Sequence, residues 1–237
     1  MTAEEFENAM SPRTKMVIIN SPGNPTGAVY TREELEGIAA VAVEEEILIL
    51  SDEIYEKLVY DDVEHISIGS LSSAVHDLTI TVNGFSKAYA MTGWRLGYLG
   101  APEAIAKAID SLQSHSTSNP CSFAQKGALA ALQGDQQVVN DMREEFNVRR
   151  DYMYDRISKI NNVSVVKPEG AFYMLVNIGK LGLSSTNFSD RLLSKAGVAV
   201  VPGIAFGDDK TVRMSYATSL DIIKRGLDKF EDFCRSV

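Results

Sequence analysis

The chain has 237 residues, 45% hydrophobic and 23% charged, enough apolar material for one large domain or two smaller ones. Its formal charge of -9 argues against a nucleic acid or an anionic membrane surface as partner, while leaving room for a local basic pocket around a small anion. Cys121 and Cys234 stand far apart without metal-ligand spacing, no apolar run approaches a membrane span, and the acidic start is unlike a signal sequence. The expectation is a cytoplasmic protein with no metal site and no membrane association.

In chain order, residues 4–10 read as the end of a helix. Met16–Asn20 is a near-continuous apolar run, the pattern of a strand buried on both faces of a parallel sheet. The chain then bends through Ser21-Pro22-Gly23-Asn24-Pro25-Thr26-Gly27, where prolines and glycines impose a rigid turn. Asn24 thereby falls at the carboxyl end of a predicted parallel strand, where open α/β sheets place their ligands. Thr31 and Glu34 form a capping box, and Leu35, Ile38, Ala39 and Ala42 follow at helical spacing. A second buried strand, 47–50, runs into Ser51-Asp52-Glu53-Ile54-Tyr55. Asp52 there suits either a helix cap or a site residue; Tyr55 and the later Lys87 favour the site.

Thr79–Val82 alternates as a strand and passes through the turn signal Asn83-Gly84 to Ser86-Lys87-Ala88, with Arg95 close behind. An amine on a loop leaving a strand, with an arginine nearby, suits a cofactor that is both an aldehyde and a phosphate. Lys87 would form the imine, and Ser86 and Arg95 would hold the phosphate. The plain alternative for Lys87 is a solvated surface lysine. A strand over 96–100 follows, then a helix opened by Pro102 and running to about Gln113, a polar loop at 114–119 and a helix at 122–133. A long helix over 136–160 carries the stripe Val139, Met142, Phe146, Met153 and Ile157. Trp94, Tyr98, Phe172 and Tyr173 read as packing, and His65, His76 and His115 take no role.

Beyond that helix the pattern becomes α+β: strands at 163–166, 172–177, 198–201 and 211–216, a turn at Pro202-Gly203, a helix at 187–195 and a final amphipathic helix bearing Leu220, Ile223, Leu227, Phe230 and Cys234. The expected organisation is a first domain over 1–140 and a smaller one over 141–237.

With these residues in place, the chain resembles the class I/II aminotransferases of the aspartate aminotransferase group, fold type I pyridoxal-phosphate enzymes. The resemblance rests on NSPGNPTG (20–27), SDEIY (51–55), GFSKAYAMTGWRLGY (84–98), PEGAFY (168–173), VVPGIAFG (200–207) and VRMSYATS (212–219), in the family's order. It implies an α/β fold: part of the large-domain sheet with its flanking helices over 1–140, and the small α+β carboxyl-terminal domain over 141–237. It also implies that family members carry further chain before Met1, including a glycine-rich phosphate loop, sheet strands and a dimerisation arm.

The same resemblance implies the cofactor pyridoxal 5'-phosphate and assigns the residues. Lys87 forms the Schiff base and is catalytic, together with Asp52 at the pyridine nitrogen and Tyr55. Asn24 and Tyr55 donate to the phenolic oxygen, Ser86 and Arg95 hold the phosphate, and Arg213, with Asn24, binds the substrate carboxylate. The implied reaction moves an amino group between an amino acid, by default aspartate, and a 2-oxo acid, by default 2-oxoglutarate, in a homodimer. The alternatives are a pyridoxal-phosphate lyase on the same fold, and an inactive fragment or non-catalytic cofactor-binding domain.

Overall fold

A computed structural model describes all residues, 1–237. They form two compact units: Met1–Pro22 with Val29–Val139, and Gly23–Ala28 with Asn140–Val237.

The first unit opens with α1 (Ala3–Ala9), capped by a Thr2/Glu5 capping box, and β1 (Met16–Asn20). α2 (Arg32–Glu44) starts at the expected Thr31/Glu34 capping box and leads into β2 (Leu48–Asp52). A short α3 (Ser73–His76), β3 (Thr79–Gly84), β4 (Gly97–Gly100), α4 (Glu103–Ser116) and α5 (Ser122–Gln133) complete it. The sheet order is β1-β2-β3-β4; the first two pairings are parallel, and β4 is antiparallel to β3. Parallel neighbours need a crossover between them, and α2 is the one joining β1 to β2. Its residues Leu35, Ile38, Ala39, Val41 and Ala42 are buried in one core with Val17, Ile19, Ile47 and Ile49, beside Phe6 of α1. The register aligns Asn20 with Asp52, and Asp52 with Val82, so β1 and β2 end at one level while β3 runs two residues further, to Gly84.

The second unit contains the long α6 (Gln137–Ile157, its first residues lying in the first unit), β5 (Ser164–Val165), β6 (Tyr173–Asn177), α7 (Ser185–Ala196), β7 (Val201–Pro202), β8 (Thr211–Ser215) and α8 (Leu220–Arg235). Its sheet is antiparallel throughout, in the order β5-β6-β8-β7. Met174 and Val176, Val212, Phe188 and Leu192 of α7, Met153 and Ile157 of α6, and Ile223, Leu227 and Phe230 of α8 are all buried. Serines cap α7 and α8: Ser184 and Ser219 accept from the amides of Asn187 and Ile222.

Four expectations change. β1 is not buried on both faces: Ile18 is 67% exposed, because Val17 and Ile19 alone turn to α2. Trp94 and Tyr98 pack on one side only: Trp94 lies against Gly127 and Tyr98 against the Phe85 ring at 5.5 Å, yet they are 45% and 48% exposed. The strand expected over 198–201 shrinks to Val201–Pro202, since only those residues pair with β8. α4 runs on to Ser116, so the polar loop after it is shorter than the sequence suggests. No helix is long and apolar enough to cross a membrane.

Candidate active site

The level ends of β1 and β2 build the first part of the site. Asn20 Nδ2 donates to the Asp52 carbonyl at 3.1 Å and the Ser21 amide donates to the same oxygen at 3.2 Å, which fixes the end of β2. Asp52 Oδ1 accepts from the Ile54 amide at 3.2 Å, so this aspartate caps a tight turn rather than a helix. Burial raises the Asp52 carboxyl above its ordinary value; the Ile54 amide and the Lys87 charge oppose this, and the charge of Glu53 adds to it. Tyr55 is buried beyond the turn, with Lys87 Nζ 5.7 Å from its ring centroid. Asp52, Tyr55 and Lys87 are thus brought together from two neighbouring strand ends.

Lys87 lies in the connection between β3 and β4. The antiparallel pair is pinched where it opens, since a Cβ on Gly84 would stand 3.1 Å from the Gly97 Cα. Thr92 Oγ1 donates to the Ser86 carbonyl at 3.0 Å, and Arg95 Nη1 donates to the Thr92 carbonyl at 2.9 Å. Ala90 and Arg95 both take positive φ to close this turn. Ser86, Lys87 and Arg95 are therefore held in one loop. Arg95 has no carboxylate partner, and it lines an open cleft of about 630 Å³ with Asn83, Tyr98, Asp110, Gln113 and Ser118.

Asn24 and Arg213 belong to the second unit. Gly27 closes the Asn24 loop at φ +70°, and a side chain there would put its Cβ 2.5 Å from the Pro168 Cβ. The Gly27 carbonyl accepts from the Glu169 and Gly170 amides at 2.9 and 2.8 Å. The fully buried Arg150 supports this loop by donating from Nη1 to the Pro168 carbonyl at 3.2 Å. Arg213 Nη1 donates to Asn24 Oδ1 at 2.7 Å. Its guanidinium carbon lies 4.3 Å from the Tyr173 ring centroid and 5.0 Å from that of Phe206. No acidic side chain pairs with it, so a weakly hydrated cation held between rings is available to an anion.

The residues singled out in the sequence thus form two groups: Asp52, Tyr55, Ser86, Lys87 and Arg95 in one unit, Asn24 and Arg213 in the other. Amine, carboxylate, phenol, hydroxyl and guanidinium in the first group match an aldehyde, a ring nitrogen, a phenolic oxygen and a phosphate, which is the donor set pyridoxal phosphate needs. Sequence reasoning missed Phe206 beside Arg213, and it missed Glu53 and His65. Glu53, next to Asp52, is buried. Burial alone would raise its carboxyl, but hydrogen bonds from His65, Ser67 and Ser51 outweigh that and hold it below the ordinary glutamate range. Only the two-residue spacing of Ile49, Ser51 and Glu53, which puts them on one face of the strand, hinted that this carboxylate points into the core.

Comparison with known proteins agrees with this chemistry. The model of the family described as aminotransferase class I and II matches residues 1–230. An aspartate aminotransferase of Bacillus sp. (strain YM-2) is 48% identical over 240 residues, covering 99% of this chain and 61% of that protein. The aromatic aminotransferase of Pyrococcus horikoshii OT3 superposes with a TM-score of 0.96 at 41% identity, covering 100% of this chain and 64% of that one. The aspartate aminotransferase of Rhizobium meliloti gives 0.96 at 38% identity, covering 99% and 62%. The chain spans about 61% of the length of the curated relatives it matches.

Proposed function

The chain belongs to the class I and II aminotransferases, pyridoxal-phosphate enzymes of fold type I, and from that premise we propose that it moves an amino group between an amino acid and a 2-oxo acid. Aspartate and 2-oxoglutarate are the default pair. The observation that carries the reading is the meeting of Lys87 with Asp52 and Tyr55 at the carboxyl ends of adjacent strands.

Bound pyridoxal phosphate supplies an aldehyde carbon for the amino group and a ring that accepts electron density from the substrate's α-carbon. Lys87 Nζ is the amine that would hold the cofactor at that carbon, and the same amine would take and return the substrate's α-proton. Asp52 holds a proton on the ring nitrogen, since its carboxylate is the charged acceptor at that turn. The Tyr55 hydroxyl donates to the phenolic oxygen from a buried position, so water does not compete for it. Ser86 and Arg95 grip the phosphate, the guanidinium with paired, charge-assisted bonds. Arg213 holds the substrate's carboxylate in the same bidentate way, and Asn24, already its hydrogen-bond partner, sets its orientation and donates to the phenolic oxygen. We read the protein as cytoplasmic, in keeping with its two free cysteines, and as a homodimer in the manner the resemblance implies.

The test is to add pyridoxal phosphate, follow the visible band, reduce with borohydride and map the adduct by mass spectrometry. An adduct confined to Lys87, with a band that responds to amino acids, is the expected result. Label scattered over surface lysines would overturn the proposal and favour a chain that does not turn over by itself.

A further inference from the structure

Asp52 and Tyr55 flank a buried carboxylate that the proposed chemistry does not use. We propose that Glu53 and His65 form a positioning pair, which fixes the Asp52–Tyr55 turn from the opposite face of β2 without touching the cofactor. The proposal rests on the reading of Asp52 and Tyr55 given above.

Side chains alternate along a strand, so Ile49, Ser51 and Glu53 share the face turned to α2, while Asp52 points the other way. Glu53 is 3% exposed and both oxygens of its carboxylate are hydrogen-bonded. Oε1 accepts from Ser51 Oγ at 2.8 Å and from Ser67 Oγ at 2.7 Å, and Oε2 faces His65 Nε2 at 3.1 Å. The main chain of the same residue donates to the Val82 carbonyl at 2.9 Å and accepts from the Glu56 amide at 2.9 Å. One residue therefore ties together the end of β2, the end of β3, the turn itself and the 65–67 segment.

An apolar side chain could fill this space without desolvating a charge, so what the carboxylate adds over one is directed hydrogen bonds. It accepts hydrogen bonds only, which requires the proton of His65 to sit on Nε2. His65 is itself nearly buried, with a 10% exposed side chain and no hydrogen-bond partner at Nδ1. The charged and titratable groups around Glu53 are Asp52 beside it, His65, Glu56 in the turn and Tyr98 on β4, with Lys87 acting on Asp52 from the β3 connection. Glu53, Glu56 and His65 also have ligand atoms within 4.8 Å of one another, a spacing a divalent cation could use. The two serine hydroxyls and the imidazole already take three of the roughly four acceptor positions of Glu53, which favours the positioning role over a metal.

The experiment begins with the cofactor-free chain. Long-range proton-nitrogen NMR correlations are expected to show the His65 proton on Nε2, unmoved by added zinc. The labelled Asp52 carboxyl carbon and Tyr55 ring signals are expected to shift in His65→Ala and in Glu53→Gln. Zinc displacing that proton, or unmoved Asp52 and Tyr55 signals in a folded His65→Ala chain, would overturn the proposal. These readings stand whether or not Lys87 takes the cofactor, so they separate this inference from the proposed function.

With pyridoxal phosphate, His65→Ala is expected to weaken binding about tenfold or more, the scale of losing a hydrogen bond to a buried charge. His65→Gln, whose amide can donate to Glu53, recovers most of it, and exposed His76→Gln changes nothing. The pH profile of the visible band moves in Glu53→Gln. A lowered melting temperature with that profile unchanged would mean general loosening and overturn the proposal.

Discussion

The two faces of the first sheet are built from the same strands and treated oppositely. On one, Val17, Ile19, Ile47 and Ile49 are sealed by α2, and Ser51 and Glu53 continue the row as a closed polar network. On the other, Met16 and Ile18 are exposed, Leu48 and Leu50 are half-buried, and Asp52 ends the row. α4 stands across a cleft from this second face, with Val82 on one wall and Ala106 and Ile109 on the other, and none of its residues is buried. α2 and α4 are both amphipathic, so an apolar stripe expresses a need for cover and does not supply it. The closed face holds a geometry; the open face leaves room for a ligand beside the residues that geometry positions.

That contrast can be broken at several strengths. The largest effect is expected for Ile49→Ala on the closed face, about 2–5 kcal/mol of stability lost in urea titrations. The matched Ile18→Ala should cost within about 0.5 kcal/mol; equal losses would mean the two faces do not differ as described.

Acid separates the neighbouring carboxylates next. Glu53 is lowered on folding, so the stability it adds is complete above the unfolded value and is lost as pH falls through the still lower folded value. Asp52 is raised, so folding gains relative to the unfolded chain as pH falls through the same region. Thermal melts between about pH 3 and 7 should therefore show Glu53→Gln flattening the acid loss and Asp52→Asn steepening it. Two variants moving in the same direction would contradict opposite environments.

Smaller still is the effect on local opening. Amide exchange should be slower along α2 than along α4, because opening α2 exposes a packed face and opening α4 exposes little that is buried. The smallest is Leu112→Ser on α4, 70% exposed, expected to change stability by about 0.5 kcal/mol or less in the same urea assay.

Much of this was legible in the chain. The Thr31/Glu34 capping box, the apolar stripe of α2 and the placing of Asp52 at a strand end follow from local rules, because the physics that sets them lies within a few residues. Local pattern also marked Lys87 and Arg95, whose spacing survives in a single loop. Glu53 escaped because its partners His65 and Ser67 come from a segment with no periodicity of its own. Arg213 and Asn24 lie 189 residues apart, so no spacing argument pairs them; only the family resemblance brought them together as site residues. The exposure of Ile18 was illegible for another reason, since an apolar run does not record which of its faces finds cover.

The segment Gly23–Ala28 has a practical consequence for anyone cutting this gene. It is encoded inside the first unit yet belongs to the second, where its carbonyl at Gly27 receives the Glu169 and Gly170 amides. A fragment expressed from residue 141 onward would leave those two amides without their acceptor and Arg213 without Asn24. Exchanging the second unit between homologous genes therefore takes two pieces of DNA, not one, and a chimera made with a single crossover would inherit Arg213 with its Asn24 partner drawn from the wrong parent.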